Sequence, residues 1–252
     1  MKNTVHKKRF IKRHMILLFV FLLVMMVLLF FQFTSIGYRM TVPYRNFTEL
    51  TDNVYVENRY SGDKEELNAI VEEATARVST FWGDTKSSPV IIISDSTKTL
   101  QKLGGDHDTA TVIFWKAYSY ISLSNEYLNV DILAHEMTHA ELHARLYEGR
   151  LAQNLVPAWF DEGVATQNDY REKYDDTAWN EVTQNGAKEI DFTSMDSYAE
   201  FNAGESADRV YRYIVSRHEV KAWVQQNKVE GLKDLLSRVN QGENFDALYH
   251  NK

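Results

Sequence analysis

The hydropathy pattern opens with an apolar run of 19 residues from Met15 to Phe33, in which Gln32 is the only polar residue. A helix of that length spans about 28 Å, close to the hydrocarbon thickness of a bilayer. The run is apolar on every side, which argues against a buried helix of a soluble domain. The pattern predicts a transmembrane anchor over residues 15–36.

Residues 1–14 form a basic tail in front of this anchor, and no acidic residue precedes Glu49. By the positive-inside rule, we expect a single-pass protein of the cell membrane with a cytoplasmic N-terminus and an extracytoplasmic C-terminal domain. A cleaved signal peptide is the alternative, but residues 34–37 match its small-residue cleavage site poorly. The basic residues of the tail are Lys2, Lys7, Lys8, Arg9, Lys12 and Arg13.

Residues 37–50 are predicted to be a polar linker because Pro43 prevents a continuous helix. Residues 51–252 are predicted to form one domain. Apolar and alternating stretches predict strands at Asn53–Tyr60, Pro89–Ser94, Thr111–Trp115 and Tyr118–Leu123, the last two being a pair or one bent strand. Helical spacing of apolar residues predicts helices at Asp63–Trp82, Thr97–Leu103, Leu128–Tyr147 and Ala207–Ser216.

The predicted helix over Leu128–Tyr147 contains no Gly or Pro. Asn125 or Asn129 could cap its start, and Gly149 could end it. Strands precede this helix and helices follow it, which indicates an α+β domain.

Composition narrows the possible functions. Beyond the anchor, 22 basic residues stand against 35 acidic ones, a formal charge of −13. Such a domain should not bind nucleic acid or an anionic lipid surface, and its acidity favours cationic substrates only weakly. The chain has no Cys, so any metal site must use His and carboxylate ligands.

Residues 135–139 read His-Glu-Met-Thr-His, inside the predicted helix over Leu128–Tyr147. Helix positions i and i+4 lie on one face, about 6 Å apart along the axis, so His135 and His139 could hold one zinc ion. Glu136 could then act as general base toward a zinc-activated water. The alternative is a helix with incidental histidines.

A third ligand is needed. His143 continues the row but lies roughly 12 Å beyond His135, too far to share one ion, so it is a neighbour of the site or a surface residue. A carboxylate from a second helix remains, and Glu162 is our choice, in a helix with Pro157 in its first turn. Gly163 would let the two helices approach. On the residues alone, Glu162 is either a ligand or a solvated carboxylate.

The combination of His135-Glu136-x-x-His139 with Trp159-x-x-Glu162-Gly163-x-Ala165 resembles the gluzincin zinc metallopeptidases. The resemblance implies His135, His139 and Glu162 as zinc ligands and Glu136 as general base. It also implies a fold of two lobes with the active-site cleft between them. One lobe would contain a small mixed sheet and the active-site helix, and the other would be the helical C-terminal part. An edge strand would pair with an extended peptide; Thr111–Leu123 is the candidate, with an aromatic-rich core strand as the alternative.

Two departures from the gluzincin pattern stand out. Many relatives carry an oxyanion-stabilising Tyr in the helix after the third ligand, and here Tyr198 and Tyr211 are both candidates, or both packing residues. The sequence also lacks a Gly-x-Met-Glu-Asn-like segment, which aminopeptidase relatives use to hold a free amine. That absence favours an endopeptidase, or a different contact to the end of the substrate.

Other polar residues invite weaker hypotheses. Asp131 and Thr166 lie one helical turn from His135 and Glu162, where each could orient its neighbour, although Asp131 could simply favour the helix N-terminus. Residues 105–108 contain possible metal ligands, but a Gly-rich polar turn explains them better.

The sequence therefore predicts a membrane-anchored extracytoplasmic zinc metallopeptidase that hydrolyses a peptide or protein substrate. One alternative is a zinc-binding but non-catalytic scaffold or sensor domain. Another is a zinc hydrolase acting on a non-peptide bond, because fold and motif constrain chemistry only loosely.

Overall fold

The computed structural model of the protein describes residues 2–105, 110–115, 118–146 and 155–250, with side chains from His14 onward except Trp115. Helix α1 (Lys2–Phe33) contains the segment His14–Phe33, which has a mean hydropathy of 3.0 and no buried part. By length and composition it could cross a membrane. The predicted anchor extends to residue 36, but α1 ends at Phe33 because Thr34 caps the next helix, accepting a hydrogen bond from the Gly37 amide.

The segment after α1 is not a linker, and that prediction is wrong. It forms helix α2 (Ser35–Met40), a 3-10 helix (Val42–Tyr44) and strand β1 (Phe47–Thr51). Pro43 lies in the first turn of the 3-10 helix, where its missing amide hydrogen costs nothing. Buried apolar side chains tie the segment to the sheet; they include Tyr38, Val42 and Phe47.

Five strands form one sheet in the order β1-β2-β3-β5-β4. The remaining strands are β2 (Val54–Glu57), β3 (Val90–Ile93), β4 (Thr111–Trp115) and β5 (Tyr118–Leu123). β2, β3 and β5 run parallel, whereas β1 and β4 are antiparallel to their neighbours. β4 and β5 are thus a strand pair, and β4 lies at the edge of the sheet.

Both faces of the sheet are covered. Successive strand residues point to opposite faces, so each strand contributes to two hydrophobic clusters. The helix-covered face carries Val54, Val56, Ile91, Ile93, Ile121 and Leu123. The face covered by the segment after α1 carries Tyr55, Ile92 and Tyr120. Continuous apolar stretches such as Val90–Ile93 are typical of strands buried on both sides.

The helices confirm the α+β class. Three precede or follow the strands closely: α3 (Lys64–Trp82), α4 (Thr97–Lys102) and α5 (Val130–Leu146). The C-terminal part contains α6 (Ala158–Ala165), α7 (Asp176–Thr183), α8 (Tyr198–Phe201), α9 (Ser206–Asn240) and α10 (Phe245–His250). Asn129 caps α5 by accepting from the Ile132 amide at 2.9 Å, while Gly149 lies outside the described residues.

Helix α6 packs between α5 and α9. A Cβ at Gly163 would come within 2.6 Å of the Ser216 carbonyl oxygen of α9, so only glycine permits this approach. The prediction that Gly163 brings α6 close to α5 therefore named the wrong partner. The close contact on the far side nevertheless holds α6 in place, and α6 presents its acidic residues to α5.

Candidate metal centre

Helices α5 and α6 bring three buried ligand atoms together. His135 Nε2 and His139 Nε2 are 3.1 Å apart, and Glu162 Oε2 lies 3.3 Å from each. All three residues are less than 10% exposed. This group could bind a metal ion.

The geometry of this triangle fits one tetrahedral ion. Bonds of about 2.0–2.1 Å from a metal require ligand atoms about 3.3–3.4 Å apart at the corners of a tetrahedron. The observed edges of 3.1–3.3 Å come close to that value. Glu162 Oε2 is buried without a hydrogen-bond partner, a costly arrangement unless a ligand satisfies it. The residues present therefore fit a divalent metal.

Asp161, which sequence reasoning missed, organises the site behind the ligands. Its Oδ1 lies 2.5 Å from His139 Nδ1, and its Oδ2 lies 2.6 Å from His143 Nε2 and also accepts a hydrogen bond from the Tyr198 hydroxyl. Because His139 Nδ1–H donates to Asp161, Nε2 is left free to face the ion. His143 is thus a buried neighbour of the site and not a ligand.

The buried charges of the site stabilise one another. Burial alone would raise the pKa of Asp161, but His143 and His139 hold it well below its ordinary value. Burial likewise opposes the shift at Glu162, whose pKa His139 and His135 lower to about 2. Despite burial, Asp161 and Glu162 raise the pKa of His139. Both carboxylates are therefore ionised at neutral pH, and Glu162 is available to a cation.

Glu136 lies beside the triangle, at a cavity of about 340 Å³ that His135 also lines. Burial raises the pKa of Glu136, although the two imidazoles oppose the shift. Tyr213 of α9 lines the same cavity, with its ring centroid 6.0 Å from that of His135. Burial and then the charge of Glu162 raise the pKa of Tyr213, so its hydroxyl stays protonated at neutral pH and can donate a hydrogen bond.

Neither of the two predicted tyrosines lines the cavity of Glu136. Tyr198 reaches the site, but its hydroxyl donates to Asp161 and is already engaged. Tyr211 is half-buried against the hydrophobic core, and the Lys188 ammonium lies 4.3 Å from its ring centroid. Helix residues turn by about 100° each, and Tyr213, two positions on, points to a different side from Tyr211. Tyr213 therefore lines the cavity beside His135, whereas Tyr211 does not.

Asp131 and Thr166, which were predicted to orient His135 and Glu162, make other contacts in the structure. Asp131 pairs with Arg77 at 2.7 Å and accepts a hydrogen bond from the Tyr170 amide, with no hydrogen bond or ion pair to His135. It lies in the first turn of α5, as the alternative hypothesis expected. The carboxylate nearest His135 Nδ1 among the described contacts is Asp169, at 3.7 Å. The Thr166 hydroxyl donates to the main-chain carbonyls of Glu162 and Gly163, and so it closes the end of α6.

The signal for Asp161 was present in the sequence. Asp161 directly precedes Glu162, and His143 continues the histidine row by one turn. Two adjacent carboxylates facing a row of three histidines can pair with different members of that row. The other possible ligand cluster, at residues 105–108, falls almost wholly outside the described residues.

Comparisons with protein-family models, curated proteins and solved structures return no match for this chain. Assignment of the centre depends on two things: the motif in the sequence and the geometry of the side chains. The motif supplies the residue types, and the geometry adds the distances, the burial and the partnerless oxygen of Glu162.

Proposed function

We propose that the chain is a membrane-anchored zinc metallopeptidase of the gluzincin type, with the sheet and the α5 helix forming one lobe and the C-terminal helices the other. The buried triangle of two imidazole nitrogens and one carboxylate oxygen, beside the cavity of Glu136, carries the proposal. Catalytic zinc sites use such three-residue ligand sets and leave a fourth position for water or substrate.

The residues around the cavity suit peptide hydrolysis. A zinc ion held there would polarise a water and the carbonyl of the scissile bond. Glu136 accepts the proton of the attacking water and passes it to the leaving amine. The Tyr213 hydroxyl donates a hydrogen bond to the carbonyl oxygen as negative charge develops on it. Tyr198 instead holds Asp161, and Asp161 holds His139.

The edge of the sheet supports a polypeptide substrate. β4 is the edge strand, and Ala110, which immediately precedes it, lines the cavity with His135 and Glu136. An extended peptide that added to β4 would therefore run toward the site, and strand addition is a common mode of peptide recognition. The basic tail before the apolar helix supports a cytoplasmic N-terminus and an extracytoplasmic domain.

The test uses the full chain in lipid nanodiscs, loaded with zinc and incubated with a diverse peptide mixture. We expect new peptide termini by mass spectrometry, and a chelator should abolish them. Glu136→Gln should lower the rate by more than about 100-fold while zinc stays bound. Glu72→Gln, on the exposed face of α3, is the matched control and should cleave normally.

Two outcomes would contradict the proposal. Full activity in Glu136→Gln would remove Glu136 from the chemistry. Stoichiometric zinc without any chelator-sensitive cleavage would instead identify a non-catalytic zinc domain, acting as a tethered scaffold or sensor.

A further inference from the structure

The cavity beside the metal centre has a positive lining in an acidic protein. Arg171, Lys173 and Arg209 line it, and Glu136 is the only acidic lining residue in the described part of the chain. The chain as a whole carries a formal charge of −7. A cleft lined by charges of one sign attracts ligands of the opposite sign, whatever the net charge of the protein.

Arg171 has a structural partner. Its Nε donates to Asp169 Oδ1 at 2.8 Å, and its Nη2 donates to Asp169 Oδ2. Asp169 is fully buried. A two-point pair of this kind fixes the guanidinium in place and balances its charge. Arg171 therefore shapes the cavity wall and leaves Lys173 and Arg209 as the unbalanced charges.

Lys173 and Arg209 form no ion pair with any carboxylate among the described residues. The Lys173 ammonium lies 4.7 Å from the ring centroid of Tyr174. Burial and the charge of Arg171 lower the pKa of Lys173. Asp208 lies next to Arg209 in the chain but does not pair with it; its carboxylate accepts a hydrogen bond from the Glu205 amide at the start of α9. The two cations thus reach the cavity from different elements, before α7 and on α9.

We propose that Lys173 and Arg209 bind a carboxylate of the substrate, so that the enzyme cleaves beside an acidic side chain or a free C-terminal carboxylate. This inference rests on the proposed function. A carboxylate would complete the charge balance of the cavity while the neighbouring peptide bond lies near His135 and Glu136. Because the contacts are partly solvent-exposed, we expect their effect on substrate binding to weaken with added salt.

The test compares matched peptides that carry Glu, Gln or Lys at each position around one scissile bond, each with a free or an amidated C-terminus. We expect kcat/KM to be at least tenfold higher for one Glu position than for Gln, and lower still for Lys, mainly through KM. If the free C-terminus carries the effect, amidation should remove it. Equal kcat/KM for Glu, Gln and Lys at every position, with no effect of amidation, would overturn the inference and leave the proposed peptidase intact.

Charge-reversal variants identify the residues responsible. Lys173→Glu and Arg209→Glu should each reduce the preference for the acidic peptide at least tenfold. Lys64→Glu makes the same change in net charge at an exposed position that does not line the cavity, and it should keep the preference. An unchanged preference in both cavity variants would also overturn the inference.

A binding measurement keeps the two proposals separate. Labelled Glu and Gln peptides are titrated by fluorescence anisotropy against zinc-loaded Glu136→Gln, which should bind without cleaving. Tighter binding of the Glu peptide supports the inference even where no hydrolysis is seen. Equal dissociation constants would contradict it, and absence of hydrolysis in the wild type would contradict only the proposed function.

Discussion

Two buried polar groups lie on opposite faces of the sheet, and they differ in whether the fold satisfies them. Arg39, fully buried, donates to the carbonyls of Leu103, Thr111 and Tyr120 and to the Ser122 hydroxyl. Burial lowers the pKa of Arg39 to about 9, so it remains charged at neutral pH. Each of its three guanidinium nitrogens donates to an acceptor within the protein, and its role is to lock the segment after α1 onto the sheet.

The metal centre is buried to a similar degree, but its polar atoms are not all satisfied. Glu162 Oε2 has no hydrogen-bond partner, and it lies at one corner of a triangle with two imidazole nitrogens. Buried polar groups without partners are rare and costly. We infer from this difference that a satisfied buried charge holds the fold together, whereas a partnerless carboxylate oxygen that converges with two imidazole nitrogens marks a place for a ligand.

Arg39→Met should remove the buried hydrogen bonds of the guanidinium and produce the largest loss of stability. Several buried acceptors would lose their donor at about 1–3 kcal/mol each, so we expect a loss of about 4 kcal/mol. The measurement is denaturant unfolding of the full chain in nanodiscs, followed by tryptophan fluorescence. Arg39→Lys keeps the charge but not the planar set of donors, and its free energy of unfolding should lie between those of the wild type and Arg39→Met. A loss below about 1 kcal/mol in Arg39→Met would contradict the structural role.

Glu162→Gln should weaken the metal centre while sparing the fold. We expect zinc affinity to fall by more than about 100-fold, equivalent to about 2.7 kcal/mol, because the anionic ligand is lost. The measurement is competition with a zinc chelator of known affinity. Zinc at 100 times the wild-type dissociation constant should stabilise the wild type by about 2.7 kcal/mol and Glu162→Gln by less than about 0.4 kcal/mol. Equal stabilisation of both would remove Glu162 from the centre.

Asp161→Asn should have a smaller effect on the same centre. The asparagine amide cannot accept hydrogen bonds from His139 and His143 at once, because one of its two ends is a donor. Partners of metal ligands typically contribute 10–100-fold in affinity, so we expect a loss of about 1.4–2.7 kcal/mol in zinc binding. Zinc affinity unchanged by Asp161→Asn would show that His139 needs no such partner.

Asp131→Asn should have the smallest effect on stability and zinc binding. It tests whether Asp131, which was predicted to orient His135, matters to the site as Asp161 does. Asp131 pairs with Arg77 in a partly exposed position, so we expect a stability loss of less than about 1 kcal/mol and no change in zinc affinity. A fall in zinc affinity similar to that of Asp161→Asn would restore the original assignment of Asp131.

The sequence predicted those features that follow from local periodicity. The α5 helix with its histidine pair, α3 and strands β2 to β5 all have apolar positions at helical or strand spacing, and the structure contains them; β1 was not predicted. The α+β class follows from their order. The histidine pair was predicted because His135 and His139 are separated by one turn, whereas Glu162 was implied as the third ligand by the resemblance to the gluzincins.

The features that sequence reasoning missed depend on contacts far apart in the chain. Arg39 reaches acceptors 64–83 residues away, and main-chain carbonyls leave no mark on the residue pattern. The segment around it was therefore predicted to be a linker. Asp131 lies one turn from His135, but its side chain pairs with Arg77 on α3. The carboxylate that contacts the histidines is that of Asp161, on α6.

The most direct test of the metal centre is X-ray absorption at the zinc edge on the zinc-loaded full chain. We predict one zinc per chain, with two imidazole nitrogens and a carboxylate oxygen at about 2.0–2.2 Å. Glu162→Gln should lose the carboxylate or the zinc itself. A wild-type spectrum with fewer than two imidazoles, or one that Glu162→Gln leaves unchanged, would contradict the account.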